Sequence, residues 1–181
     1  MLKIHFARRA SVEFSLPGIF PNNIFYYTIK VMNVKPRLII GLGNPDKEYE
    51  HTYHNVGFLA VDFLAGYLKT LKSEVYMNES GGFVRKTIKK NGVKPEEILI
   101  IHDDSDIKMG EYKLSFGRSS AGHRGVQSII DSIKTKNFWR LRVGIRKNKR
   151  QKASEIVLKK ISKGDMEILN KVFKKFVRYA Q

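Results

Sequence analysis

Three short stretches of this chain carry residue types that could run hydrolytic chemistry. His54 stands ten residues beyond Asn44, at the start of a helical pattern, and Asp103 closes a short apolar run. A histidine paired with a carboxylate at a buried edge can act as a general base toward water. The carboxylate fixes the tautomer and stabilises the imidazolium that forms. Read alone, a histidine at a helix start is more often a cap, and these residues leave that role open too. The chain has no cysteine and no Gly-x-Ser-x-Gly elbow. An attacking water, not a covalent nucleophile, is therefore the expectation for any hydrolysis.

Neighbouring motifs have plainer readings. Gly41-Leu-Gly43 follows a strand as a dinucleotide loop would, but Asp46 occupies the third glycine position and Pro45 removes a backbone donor. Glycine here serves a sharp turn that sets Asn44 at the strand end. His51, His54, His102, His123 and the Asp103–Asp106 run could offer metal ligands. His51-x-x-His54 lacks the glutamate of a zinc-binding helix, however, so no metal is expected. The acidic run reads as a strand-to-loop cap with one working carboxylate. Gly122-His-Arg-Gly125 opens a helix whose N–H groups and Arg124 would attract an anion, or it is a simple tight turn.

The elements needed to position these groups follow from periodicity. Residues 37–40 and 98–101 read as buried strands, 111–116 and 140–145 as further strands, and 73–78 as a short strand ending at Asn78. Helices are expected over 55–69, 80–90 and 122–134, the second stopping at Gly92. A final helix opens with Ser162 and Asp165 spaced as a capping box. Ile168, Leu169, Val172, Phe173 and Phe176 form its apolar face, and Lys171, Lys174, Lys175 and Arg178 its cationic one. Strands separated by helices imply an α/β fold: one three-layer domain with a mixed, mostly parallel twisted sheet flanked by helices. Catalytic groups in such folds sit at the carboxyl ends of strands, where both polar clusters lie.

Charge adds a partner. The 181 residues carry a net +17, of which +12 falls in residues 136–181, while 101–135 are neutral. Five cations crowd the seven residues from Arg146 to Lys152. A folded domain with one basic flank suits a phosphate-rich partner; a membrane surface is the competing, weaker reading. No apolar run approaches the roughly 20 residues of a membrane span. Residues 1–35 lack a clear period and are expected to be an extension, with Met32 a plausible true start and a transit-like peptide an alternative. The domain is expected over 36–181.

Taken in order, the motifs resemble bacterial peptidyl-tRNA hydrolase. The matching residues are Arg37 to Pro45, Tyr49, His54-Asn-Val-Gly57, Tyr76 to Gly81, Lys94 to Asp106, Ala121-Gly-His-Arg-Gly125 and Arg140 to Ile145. The resemblance implies cleavage of the ester between a peptide and the 3′ ribose of tRNA, without metal or cofactor. It implies that His54 is the base toward water and that Asp103 holds it. It makes Asn44 a discriminator of peptidyl-tRNA from free aminoacyl-tRNA and Asn78 a holder of the peptide backbone and water. Tyr49 and Tyr76 would line the tRNA-end site. Arg124, Arg142, Arg146 and Lys147 are candidates for substrate or tRNA contact, with the basic C-terminal region meeting tRNA phosphates. A monomer acting in the cytoplasm is expected, with no membrane partner.

Three departures stand out. Arg124 replaces an asparagine usual in the family, the stretch between His54 and Asn78 is shortened by roughly a strand pair, and residues 1–35 have no counterpart. Arg124, the shortened middle and the extra charge motivate one alternative, a non-catalytic homologue that binds structured RNA. The intact set of His54, Asp103, Asn44 and Asn78 counts against it.

Overall fold

In a computed structural model, which describes residues 12–13, 36–148 and 152–180, the chain forms a six-stranded mixed sheet between two helical layers. The strands are β1 (Val12–Glu13), β2 (Leu38–Gly41), β3 (Thr70–Lys72), β4 (Ile98–Lys108), β5 (Tyr112–Phe116) and β6 (Trp139–Arg146). Their order is β1-β5-β6-β4-β2-β3. β3, β2, β4 and β6 run parallel; β5 pairs antiparallel to β6 and β1 antiparallel to β5. The helices are α1 (Val56–Leu64), α2 (Ser80–Asn91), α3 (Arg124–Ile133) and α4 (Lys163–Ala180). The expected three-layer α/β fold is borne out. Apart from the β1 dipeptide, the expectation for residues 1–35 lies outside the described residues, as does the part of the basic loop at 149–151.

Strands this apolar are stable only when covered on both faces. Alternate residues divide accordingly. Ile39, Leu99, Ile101, Leu141 and Val143 pack with Val56, Ala60 and Leu64 of α1 and with Leu169, Val172 and Phe173 of α4. Leu38, Ile40, Ile98 and Ile100 pack with Val84 of α2, Val126 and Ile129 of α3, and Phe138. On α4, Lys171, Lys174 and Lys175 stay exposed as expected, and Ile168 joins them at the surface.

Four expected boundaries shift. α1 ends at Leu64, because the Tyr67 and Leu68 amides turn back onto the Leu64 carbonyl around Gly66. The edge strand falls at 70–72 instead of 73–78, since Met77–Glu79 coil into a 3-10 turn that leads into α2. α3 begins at Arg124, two residues later than expected, with His123 as its cap. Most consequentially, β4 runs on through the acidic residues. Gly41 of β2 pairs with Ile101, and β4 then continues alone on that side while Asp103 and Asp104 remain paired with Val143 and Gly144 of β6. The acidic run is thus strand, not a cap, and the stretch of β4 beyond β2 borders an open cleft.

The start of α1 is drawn tightly over this place. A Cβ on Gly57 would sit 2.4 Å from the carbonyl oxygens of both Ile101 and Leu42. Only glycine allows that approach, so the His54 turn can reach β4. Gly57→Ala is expected to destabilise the fold by about 2 kcal/mol or more, because two backbone segments would have to part. Denaturant unfolding of the variant against the parent chain checks this.

Candidate active site

Beyond the end of β2 lies an open cleft of about 850 Å³. Asn44, Tyr49, His54, Tyr76, Asn78, Asp103 and Arg124 all line it, joined by His123. The sequence places these residues on four separate segments, and the strand ends bring them together.

His54 comes off the turn just before α1. Its main chain is fixed from the C-terminal part of the chain: the His54 N–H donates to Val157 O at 2.7 Å, Tyr53 N–H to Lys159 O at 3.2 Å, and Ile161 N–H to His51 O at 2.7 Å. Its side chain reaches across to β4, where Nδ1 lies 2.9 Å from Asp103 Oδ1. A second histidine uses the same oxygen: His123 Nε2 is 3.1 Å from it. Burial by itself would raise the Asp103 carboxyl. Hydrogen bonds from the two histidines, and their positive charge whenever either ring is protonated, outweigh burial and hold it far below the ordinary carboxylate range. Asp103 is therefore ionised and can only accept.

Proton positions follow from that. His54 donates from Nδ1, which leaves Nε2 as a bare lone pair. His123 caps α3 by accepting the Val126 N–H at Nδ1, 3.3 Å away, so its Nε2 carries the proton given to Asp103. His102 is held as well, its Nδ1 donating to the Asp103 carbonyl at 2.7 Å. Burial pushes the His102 imidazole well down, and the neighbouring Arg140 charge adds to it, so it stays neutral. The ligand atoms of His54, Asp103 and His123 lie within 4.8 Å of one another, as a metal site would require. In the metal-free arrangement, the His54 and His123 nitrogens that face Asp103 are its hydrogen-bond donors.

Asn44 is the other fixed group. Asn55 clamps its main chain, accepting from Asn44 N at 2.9 Å and donating to Asn44 O at 2.9 Å. Its own Oδ1 accepts the Met77 N–H at 2.9 Å. What remains of the Asn44 carboxamide is the Nδ2 donor. The Asn78 carbonyl accepts from Ser128 Oγ at 2.6 Å, and the Asn78 side chain is exposed on the rim. Tyr76 donates its hydroxyl to Asp46.

The sequence model of the peptidyl-tRNA hydrolase family matches residues 38–70 and 67–181. The chain belongs to the peptidyl-tRNA hydrolase family. The peptidyl-tRNA hydrolase of Persephonella marina is 38% identical over 159 residues, covering 75% of this chain and 84% of the relative. That of Thermodesulfovibrio yellowstonii is 43% identical over 145 residues, covering 67% and 78%. The crystal structure of peptidyl-tRNA hydrolase from Acinetobacter baumannii superposes with a TM-score of 0.72 at 31% identity, covering 82% of this chain and 87% of that one. The family and hydrolase assignments made from the motifs are borne out. The family match divides at 67–70, where β3 begins and where the sequence suggested a shortened middle.

Three of the residues expected to contact substrate or tRNA do not line this cleft. Arg142 on β6 donates from Nε to Asp104 Oδ2 at 2.7 Å. Arg146 ends β6 half-buried, its carbonyl accepting the Met109 N–H. Lys147 is ion-paired with Asp165. Conversely, the bond of His123 to Asp103 and the clamp of Asn55 on Asn44 escaped sequence reasoning, although both residues lie within the matching motifs; on sequence grounds His123 is only a candidate metal ligand. Asp103→Asn preserves volume but removes the charge and turns one acceptor into a donor. It is expected to lower kcat about a thousandfold or more, as carboxylate loss beside a catalytic histidine does. Single-turnover release of tRNA, with circular dichroism to confirm folding, checks this.

Proposed function

We propose that this chain cleaves peptidyl-tRNA with water activated by His54. The observation that carries the reading is the shared oxygen of Asp103, which leaves Nε2 of the cleft-lining His54 as an acceptor. Water bound there gives its proton to Nε2 and attacks the ester carbonyl. The resulting imidazolium, stabilised by the Asp103 charge, returns the proton to the departing ribose oxygen. An ester has a better leaving group than an amide, so no covalent nucleophile is needed.

Asn44 presents a donor to the substrate. An N-acylated substrate offers it a carbonyl oxygen, whereas a free α-ammonium only donates and finds no partner. This accounts for a preference for peptidyl over aminoacyl esters. Asn78 on the rim supplies donor and acceptor to the peptide main chain, so any side-chain sequence is accepted. Tyr49, Tyr76 and Arg124 line the space for the tRNA end.

The basic flank meets the RNA. Lys152, Lys159, Lys163, Lys171, Lys174 and Lys175 are exposed there, and such cations bind phosphates without regard to sequence. The proposal extends to a monomer working in the cytoplasm. Among the described residues no helix is long and apolar enough to cross a membrane. Binding of structured RNA without cleavage is not favoured, since base, carboxylate and amide donor all converge on one cleft.

Purified protein is expected to release tRNA from N-acetylaminoacyl-tRNA and to spare the unblocked ester. His54→Ala is expected to lose about a thousandfold or more of that rate while keeping its fold. Wild-type turnover by this variant contradicts the mechanism.

A further inference from the structure

A second polar cluster lies behind the His54 turn, and none of its members lines the cleft. Tyr53, the residue before His54, has its ring in the core between sheet, α1 and α4. Its hydroxyl donates to Asp165 Oδ2 at 2.5 Å. Ser162 Oγ donates to the same oxygen at 2.6 Å. Lys147 Nζ ion-pairs with it as well, and this ammonium also stands 5.6 Å from the centre of the Tyr53 ring. Asp165 occupies the first turn of α4, where the positive end of the helix favours a carboxylate. Burial alone would raise the Asp165 carboxyl; hydrogen bonds from Lys147, Ser162 and Tyr53 overcome this and lower it.

The cluster therefore ties the start of the basic helix to the residue that carries His54 along the chain. The main chain reinforces the tie. Residues 51–54 hydrogen-bond to residues 157–161, which lead into α4, and Thr52 bridges to Lys160. At the other end of His54, Asp103 fixes the ring. The base is thus located from two sides, by β4 through its imidazole and by α4 through Tyr53.

We infer that Asp165, acting through the Tyr53 hydroxyl, is a positioning residue for His54, so that the basic C-terminal unit is required for the chemical step as well as for RNA. This rests on His54 being the base. It also gives Lys147 a different use from its expected one: its charge neutralises Asp165 within the tie.

The test compares the full chain with Tyr53→Phe, Asp165→Asn and the double variant in steady-state hydrolysis of N-acetylaminoacyl-tRNA, with tRNA affinity measured separately. Positioning predicts that each single variant loses between about tenfold and a hundredfold in kcat, as small displacements of a catalytic group do. KM stays the same or falls, and the double variant is no worse than the worse single one. A flank that only attracts RNA predicts otherwise. Asp165→Asn then removes a negative charge and tightens tRNA binding with kcat unchanged, and Tyr53→Phe is silent; that pattern overturns the inference. Tyr53→Phe deletes one oxygen and keeps the ring packed, so it decides the matter even if Asp165→Asn fails to fold. His54→Ala runs alongside: wild-type turnover there defeats the catalytic reading itself, whatever the Tyr53 and Asp165 variants do.

Discussion

One carboxylate oxygen, Asp103 Oδ1, receives two imidazole N–H groups, and the rest of the site depends on it. Two donors on one buried oxygen keep the carboxylate ionised against the pull of burial. An ionised carboxylate in turn dictates which nitrogen of each ring carries a proton. His54, which lines the cleft, is left with an open lone pair on Nε2, and His123 is locked as a helix cap that doubles as a support. Charge, tautomer and helix start are a single constraint met three ways.

The fold can be read as the means of bringing that oxygen to the right place. β4 must outrun β2 so that Asp103 has an open side, and β6 must pair alongside so that a charged residue is tolerated inside a strand. α1 must approach to carbonyl contact, which glycine at 57 permits. The C-terminal segment must then cross the His54 turn and fix its main chain. The basic helix that follows is thereby joined to the His54 turn, and the near-neutral centre and cationic flank of the sequence become two neighbouring surfaces of one domain.

Much of this was legible in the sequence. Apolar runs at 38–40 and 98–101 marked strands covered on both faces, and the motif order located His54, Asp103, Asn44 and Asn78. What escaped depended on contacts between distant segments. The extension of β4 through Asp103 and Asp104 comes from β6, some forty residues away, so local polarity pointed to a loop instead. His123 looked like part of a turn, because its role needs both the Val126 amide and an oxygen twenty residues earlier. Counting charge treated every cation as free, whereas Lys147 and Arg142 are committed to Asp165 and Asp104.

Long-range proton–nitrogen correlation spectra of the histidine rings, at a pH where both are neutral, address the shared oxygen directly. The account requires the His54 proton on Nδ1 with a bare Nε2, and the His123 proton on Nε2 with a bare Nδ1. A His54 ring protonated on Nε2, or a His123 ring with a bare Nε2, would contradict it.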